Sequence, residues 1–210
     1  MAVICVIGDI INSRKIRGRP GLQARLQRVL QAINRRRRQQ LLSPCTITLG
    51  DEFQAVYSTA ESVLIDAVTV LETVYPTQIR FSIGVGSLDT PINRKRAIGM
   101  DGPAFHAART GLEELKRSGF LFRVTAAEVA VPLWTNLSLE LGSHLASKWK
   151  RSRLSVFKNV LEGREVKEIA KRANLTPAAV YKNIQSGALA TLKSIFSELN
   201  SEIGVLLKKR

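Results

Sequence analysis

In the first 125 residues, segments whose apolar pattern is typical of β-strands alternate with segments whose apolar residues recur at helical spacing. The run from Ala2 to Ile7 is continuous and rich in Val and Ile, which is typical of a buried central strand. From Pro20 to Leu41, apolar residues recur at helical spacing with Arg and Gln opposite, which predicts an amphipathic helix on one face of a sheet. The same patterns predict strands at 45–49, 53–57, 78–85 and 120–125, and helices at 60–74 and 102–117.

The predicted order is therefore β-α-β-β-α-β-α-β, followed by a segment that is helical throughout. The core of this order is the ferredoxin-like, split βαβ arrangement, an antiparallel sheet with its helices packed on one side. We predict an α+β protein with a ferredoxin-like domain over 1–125, a helical connection over 126–150 and an all-α domain over 151–210.

Residues 166–184, VKEIAKRANLTPAAVYKNI, fit a helix-turn-helix. Ala170 is small where two helices would touch, and Asn174 can adopt the left-handed conformation of the turn. Thr176 is a suitable N-cap with Pro177 at the first helical position. The alternative is a small helical bundle used for protein contact.

If DNA is the partner, the second helix enters the major groove and the first lies near phosphates. The residues expected to contact DNA are Lys167, Lys171, Arg172, Thr176, Ala178, Tyr181, Lys182 and Gln185. Because few of the outward residues are Arg or Asn, which provide most bidentate contacts to bases, we expect modest sequence specificity.

The last segment carries a heptad stripe, formed by Leu189, Leu192, Phe196, Leu199, Ile203 and Leu206. The stripe either packs back on the helix-turn-helix or forms a dimer through the C-terminal helix. A homodimer would suit a helix-turn-helix protein, since such proteins usually bind paired half-sites.

Charge and cysteine content narrow the class of protein. The formal net charge of +15 predicts attraction to polyanions, and nucleic acid or a nucleotide is the first expectation. Basic residues are spread over both parts, with 18 basic and 10 acidic residues in 1–125 and 14 and 7 in 126–210. Cys5 and Cys45 lie in apolar runs, so we expect no disulfide and a reducing cytoplasm. No apolar run is long enough for a membrane span.

Two acids mark the candidate site. The stretch TITLGDEFQAV, residues 46–56, places Asp51 and Glu52 at the tip of a predicted hairpin, where Gly50-Asp51 could also simply form the turn. Asp9 ends the first predicted strand, so in a ferredoxin-like sheet Asp9 and Asp51 would project from the same edge. Two close carboxylates repel unless a cation lies between them, and Mg²⁺ prefers carboxylates together with phosphate oxygens. We therefore predict a magnesium site at Asp9 and Asp51.

Basic residues follow Asp9 on a loop that contains Gly18, and they could bind phosphate as readily as they could be merely solvated; they are Arg14, Lys15, Arg17 and Arg19. Arg35 to Arg38 lie at the end of the first predicted helix. They could likewise form either a solvated helix end or a phosphate-binding patch.

The strings VIGDIINSR, TITLGDEFQAV, IRFSIGVGSL and GPAFHAAR, in this order, resemble the catalytic domain of class III nucleotidyl cyclases, and the second resembles the signature loop of GGDEF diguanylate cyclases. This resemblance implies a palm-type, cyclase-like fold for about the first 125 residues. The whole chain resembles the SatD family, in which such a segment precedes a helix-turn-helix.

The cyclase resemblance implies roles for individual residues. Asp9 and Asp51 match the metal-binding aspartates, and Arg109 matches an arginine that steadies the transition state. His106 stands where an asparagine that contacts the ribose is expected, and a neutral imidazole has one donor where the amide has two. Cyclase sites form between two subunits, so Asp9 and Asp51 of one chain would face His106 and Arg109 of the other.

Ile47 and Gly99 occupy the two positions that read adenine in adenylyl cyclases, which implies that the usual base recognition is lost. Arg14, Lys15, Glu52, His106 and Arg109 make up the expected nucleotide- or phosphate-binding set. We expect a cytoplasmic, homodimeric DNA-binding regulator with a nucleotide-binding sensor domain rather than an enzyme. The alternatives are a metal-dependent enzyme acting on nucleoside triphosphates, in which His106 and Arg109 would be catalytic, and a protein-interaction scaffold.

Overall fold

A mixed five-stranded sheet forms the centre of the protein. The computed structural model describes residues 1–48 and 50–208, and the strands within them are β1 Val3–Ile10, β2 Leu41–Ile47, β3 Glu52–Tyr57, β4 Ile79–Gly86 and β5 Phe122–Ala126. Their order across the sheet is β2-β3-β1-β4-β5, with antiparallel pairs except for parallel β4 and β5. The predicted succession of strands and helices and the α+β class are confirmed.

Strand β2 begins earlier than predicted. It was expected over 45–49, with its end at Leu49, which lies outside the described residues, and the structure starts it at Leu41. Residues 41–44 were not predicted as strand because they include Pro44. Proline cannot donate to a strand ladder and is confined to edges and bulges. β2 is the edge strand, and its pairing with β3 shifts register on both sides of Ser43.

Helices cover both faces of the sheet. Helices α1 Arg19–Arg36 and α2 Val63–Val74 pack with Ile4, Val6 and Ile10 of β1. Helix α3 Pro103–Ser118 packs on the other face, against Val3, Cys5 and Ile7. The two helices of the expected ferredoxin-like core, α1 and α2, therefore share one face. Helix α3, which follows that core in the chain, covers the other face, because β1 is apolar on both of its faces.

The all-helical second part is confirmed. Its helices in the described residues are α4 Leu133–Ala146, α5 Arg151–Leu161, α6 Val166–Ala173, α7 Pro177–Ser186 and α8 Leu189–Lys208. All six members of the predicted α8 stripe are at most 3% exposed, and α8 packs on α2, α4, α5, α7 and β4 of its own chain. The stripe is thus used for packing within the chain and is not free to form a dimer.

Aromatic rings connect the sheet to the helical part. Phe53, Phe81 and Phe122 of three strands form a row with centroid separations of 6.1 and 5.6 Å. Phe122 then meets Phe196 of α8 at 6.4 Å, and Phe196 meets Phe157 of α5 at 5.3 Å. Because these contacts belong to one continuous cluster of buried side chains, the two parts share a core; the domain boundaries remain a prediction.

Cys5 and Cys45 are both buried and free, and burial raises the pKa of the Cys45 thiol to about 12. Over the described part of the chain, no helix combines the length and apolar character that crossing a membrane requires.

Candidate functional site

Charged residues on three neighbouring strands meet in one row at the candidate site. Strand β1 continues through Asp9 to Ile10, so Asp9 lies within the strand and not after it. In the antiparallel registers, Asp9 pairs with Glu52 of β3 on one side and with Arg80 of β4 on the other. Directly opposed residues of antiparallel strands project to the same face, so these side chains share the face that α3 covers.

Arg80 is the partner of Asp9. Its Nη1 donates to Asp9 Oδ2 at 3.2 Å, and both side chains are 16% exposed. Burial raises the pKa of Asp9, and the hydrogen bond from Arg80 opposes this shift without cancelling it. Sequence reasoning missed Arg80, although a single charge within the apolar strand Ile79–Gly86 was a signal that could have revealed it.

Arg109 of α3 binds Glu52 through two contacts. Its Nη1 donates to Glu52 Oε2 at 2.6 Å and its Nη2 to Oε1 at 3.0 Å. The carboxylate is 8% exposed and also accepts a hydrogen bond from Gln54 Nε2 at 3.0 Å. Within its own chain, Arg109 thus pairs with Glu52, because α3 covers the face on which Glu52 lies. The expectation that Arg109 faces Asp9 and Asp51 of a second chain stays a prediction.

Asp51 lies at the same end of β1 and β3 as Asp9 but contacts a different group. Its Oδ2 accepts a hydrogen bond from Ser13 Oγ at 2.6 Å, and Gln23 Nε2 donates to the carbonyl of Gly50 at 3.2 Å. The connection between β1 and α1 is therefore tied to the hairpin tip. Arg14 and Lys15, which follow Ser13 in a single 3₁₀ turn, are exposed beside it.

His106 does not join this group. It lies in the first turns of α3 with a side chain 70% exposed, and its Nε2 is 2.8 Å from Asp101 Oδ1. The backbone N–H of Gly102 and the His106 ring lower the pKa of Asp101. His106 also lines an open cleft of about 590 Å³ between α3 and the segment after β5. The structure therefore places Arg109 next to the acids and His106 away from them.

Asp9 and Asp51 together offer two carboxylates for a Mg²⁺ ion. Mg²⁺ sites commonly use one or two carboxylates, with water and phosphate oxygens completing the shell. Arg80 donates to one oxygen of Asp9 and Ser13 to one oxygen of Asp51, and no side-chain hydrogen bond from the described residues uses the second oxygen of either. In residues 1–48 and 50–208, His, Cys, Asp and Glu form no group of three or more that could hold a metal. The donor set thus fits a cation only together with phosphate.

A second candidate surface lies on α6 and α7. The turn between them is Asn174 to Thr176, with Asn174 in the left-handed conformation at φ 52° as predicted. Thr176 caps α7 by accepting the backbone N–H of Ala179 at 3.1 Å. Ala170 and Val180 are buried, and Leu175 and Ile184 pack against the same core.

The residues expected to contact DNA are all exposed: Lys167, Lys171, Arg172, Thr176, Ala178, Tyr181, Lys182 and Gln185. Tyr181 is a large side chain that is 56% exposed. One donor of Arg172 is already used within α6, because its Nε donates to Glu168 at 2.9 Å.

The SatD family profile matches residues 3–196.

The chain belongs to the SatD family.

No curated protein matches this SatD-family chain. Solved structures similar to it include two chains of a bacterial light-regulated adenylyl cyclase at 12% identity, both covering 59% of this chain. They have TM-scores of 0.45 and 0.41, and the alignments span 74% and 43% of those chains. A regulator of polyketide synthase expression from Bifidobacterium adolescentis aligns with 99% of this chain and 81% of its own at 13% identity, with a TM-score of 0.30. Because all three TM-scores are below 0.5, these similarities give no evidence about the function of the SatD-family protein.

Proposed function

We propose that this SatD-family protein is a cytoplasmic DNA-binding transcriptional regulator. In this proposal α6 and α7 form a helix-turn-helix, and residues 1–125 form a ferredoxin-like, cyclase-like domain that binds a nucleotide or another phosphorylated ligand. The observation that carries the proposal is the outward face of α6 and α7, where every residue selected for DNA contact is exposed on helices joined by a short left-handed turn.

The two helices would divide the work of binding. Helix α7 would enter the major groove with Tyr181, Lys182 and Gln185, while Lys167 and Lys171 of α6 would approach phosphates. Tyr181 offers an apolar ring and one hydroxyl rather than a bidentate donor pair. Affinity would therefore depend mainly on phosphate contacts and on salt.

The sensor domain would bind its ligand at the end of β1 and β3. The antiparallel order β2-β3-β1-β4, with α1 and α2 on one face, supports a ferredoxin-like interpretation. Asp9 and Asp51 would hold Mg²⁺, which would neutralise the ligand's phosphates, and the exposed side chains of Arg14 and Lys15 would bind phosphate oxygens. Glu52 and Arg109 would position this edge of the sheet through their mutual pairing, and His106 would contact a ligand only at the outer side of α3.

A metal-dependent enzyme acting on nucleoside triphosphates is the second candidate. It is favoured by the position of Asp9 and Asp51 at one end of the sheet. Against it, Glu52 occupies both terminal nitrogens of Arg109, and His106 lies beside Asp101, away from the two aspartates of its own chain. An Asp51→Asn protein separates the two: an enzyme loses turnover and keeps its DNA affinity, whereas a regulator loses its response to ligand.

A homodimer remains part of the proposal, with an interface other than the α8 stripe. Helix α4 exposes a face of four large apolar side chains, Leu133, Trp134, Leu137 and Leu141. A second copy is the occupant that the helix-turn-helix interpretation calls for, since paired half-sites need two recognition helices. Light scattering after size exclusion should give a dimer for the wild type and a monomer for Leu137→Glu. A monomeric wild type, or a dimeric variant, would remove α4 from the proposal.

Fluorescence anisotropy with a labelled 30-base-pair duplex tests DNA binding. The double variant Lys167→Gln/Lys182→Gln should weaken binding about tenfold or more and make it less steeply dependent on salt, because two phosphate contacts are lost. Lys116→Gln/Arg117→Gln on α3 is the matched control, since it removes the same charge from the opposite side of the sheet. Equal affinity for both variants would contradict DNA binding through α6 and α7.

A further inference from the structure

The basic charge of the chain is concentrated in one segment. Residues 10–50 contain ten Arg and Lys and neither Asp nor Glu, which is the larger part of the net charge of +15. Arg36 and Arg37 form ion pairs, and Arg25 is partly buried. The other seven are exposed and have no ion pair within the residues that the structure describes: Arg14, Lys15, Arg17, Arg19, Arg28, Arg35 and Arg38.

Arg14 and Lys15 belong to the proposed ligand site. The other five, Arg17, Arg19, Arg28, Arg35 and Arg38, lie along α1 and at its two ends, and we name them the α1 basic surface. The buried face of α1, which includes Leu26, Val29 and Ile33, fixes the rotation of the helix and turns Arg28 and Arg35 outward. Arg17 precedes α1, Arg19 begins it, and Arg38 follows its end. An 18-residue helix is about 27 Å long, which corresponds to about eight base pairs of duplex DNA.

The α1 basic surface adjoins the first helix of the proposed helix-turn-helix. Arg36 Nη1 lies 2.7 Å from Glu162 Oε1, and Glu162 Oε2 accepts from Arg164 Nε at 2.6 Å. Arg164 pairs with Glu168, which in turn accepts from Arg172 of α6. Three arginines and two glutamates make up this junction, which joins the end of α1 to α6 and has a net charge of +1.

We propose that the α1 basic surface binds the phosphate backbone of DNA beside the segment contacted by α6 and α7. This inference rests on the proposed function and extends it, because it makes the N-terminal domain part of the DNA interface. Exposed guanidinium groups along one helix, in a segment (10–50) that contains no aromatic residue, suit a phosphate backbone, which carries a charge about every 1.7 Å of duplex axis. A membrane surface fits less well, since an interfacial helix inserts an apolar face and that of α1 is already buried in the core.

The test compares three double variants in the same anisotropy assay over a series of salt concentrations. Arg28→Gln/Arg35→Gln removes two charges from the α1 basic surface, Lys167→Gln/Lys182→Gln removes two from α6 and α7, and Lys116→Gln/Arg117→Gln is the charge-matched control. Each phosphate contact contributes about 0.9 to the slope of log K against log salt, so the α1 variant should lower the slope by about 2 and the affinity by about tenfold at low salt. Circular dichroism confirms that each variant is folded.

The outcomes separate this inference from the proposed function. If the α6–α7 variant loses affinity while the α1 variant matches the control, the helix-turn-helix stands and the α1 basic surface has no part in DNA binding. If the wild type binds no duplex, both proposals fall. If the α1 variant loses affinity for vesicles of phosphatidylglycerol but not for DNA, the surface binds anionic lipid and the inference is overturned.

Discussion

Glu52 and Arg109 join the hairpin of the sheet to helix α3 by two hydrogen bonds, of 2.6 and 3.0 Å. The carboxylate is almost fully buried and the guanidinium is about half exposed. This contact fixes the position of α3 over the end of the sheet where Asp9 lies. It therefore connects the stability of the fold to the geometry of the candidate ligand site.

Replacing Arg109 should destabilise the protein measurably. Arg109→Met leaves a buried carboxylate without its main partner, which typically costs about 1–3 kcal/mol, and partial exposure of the pair favours the lower part of that range. Urea unfolding measures the change. Lys116→Met, which removes a surface pair with Glu113, is the control and should change stability by less than about 0.5 kcal/mol. Similar values for the two variants would show that the pair with Glu52 contributes little.

A buried acid, Asp66, should make stability fall as pH rises. Burial raises the pKa of Asp66 above 3.8, and the nearby Arg37 offsets only part of this. The folded protein then holds its proton to a higher pH than the unfolded chain does, so the contribution of Asp66 to stability decreases from about pH 3.8 up to the raised pKa.

Asp66→Asn has no such titration and provides the reference. The free energy of unfolding of the wild type minus that of Asp66→Asn should decrease across this window and become constant above it, measured by urea unfolding at successive pH values. A difference that increases with pH would mean that Arg37 outweighs the effect of burial.

Close packing of α3 on β4 should make Gly84 intolerant of any side chain. A Cβ at Gly84 would lie 2.3 Å from both the carbonyl oxygen of Ala104 and the amide nitrogen of Ala108, which belong to the backbone of α3. Gly84→Ala should therefore destabilise the protein by about 1–3 kcal/mol, as overpacking of a core does. Gly21→Ala in α1 meets nothing within 4 Å and should be neutral or stabilising, because alanine favours the helix. Equal thermal midpoints for the two variants would contradict this account of the packing.

The aspartate at the hairpin tip should be required for metal-dependent binding of phosphorylated ligands. A screen of nucleoside triphosphates and cyclic nucleotides, with and without Mg²⁺, should show a Mg²⁺-dependent rise in the melting temperature. A ligand at one hundred times its Kd stabilises a protein by about 2.7 kcal/mol. Asp51→Asn should abolish the rise while preserving the fold, because the amide oxygen can still accept from Ser13 Oγ. Asp101→Asn is the control on an exposed acid, and a loss of the shift in both variants would argue against a specific site at Asp51.

Local patterns in the sequence were sufficient for the presence of all five strands, although not for the start of β2, for most helices and for the α6–α7 turn. Asn174 and Thr176 were predicted correctly because their roles depend on backbone conformation and capping within a few residues. The apolar stripe on α8 was also predicted, but the elements that pack on it were not. A heptad pattern shows that an apolar surface must pack against the stripe and does not show whether that surface belongs to the same chain.

Only the tertiary structure decided which side chains meet at the candidate site. Asp9 faces Arg80, and Glu52 faces Arg109, because strand register and the side of the sheet taken by α3 bring together residues 57 to 71 positions apart. The sequence by itself determined that acids would stand at the end of β1 and at the hairpin tip and that α1 would be basic. Which of these charges are paired and which remain exposed depends on long-range packing, which no local pattern contains.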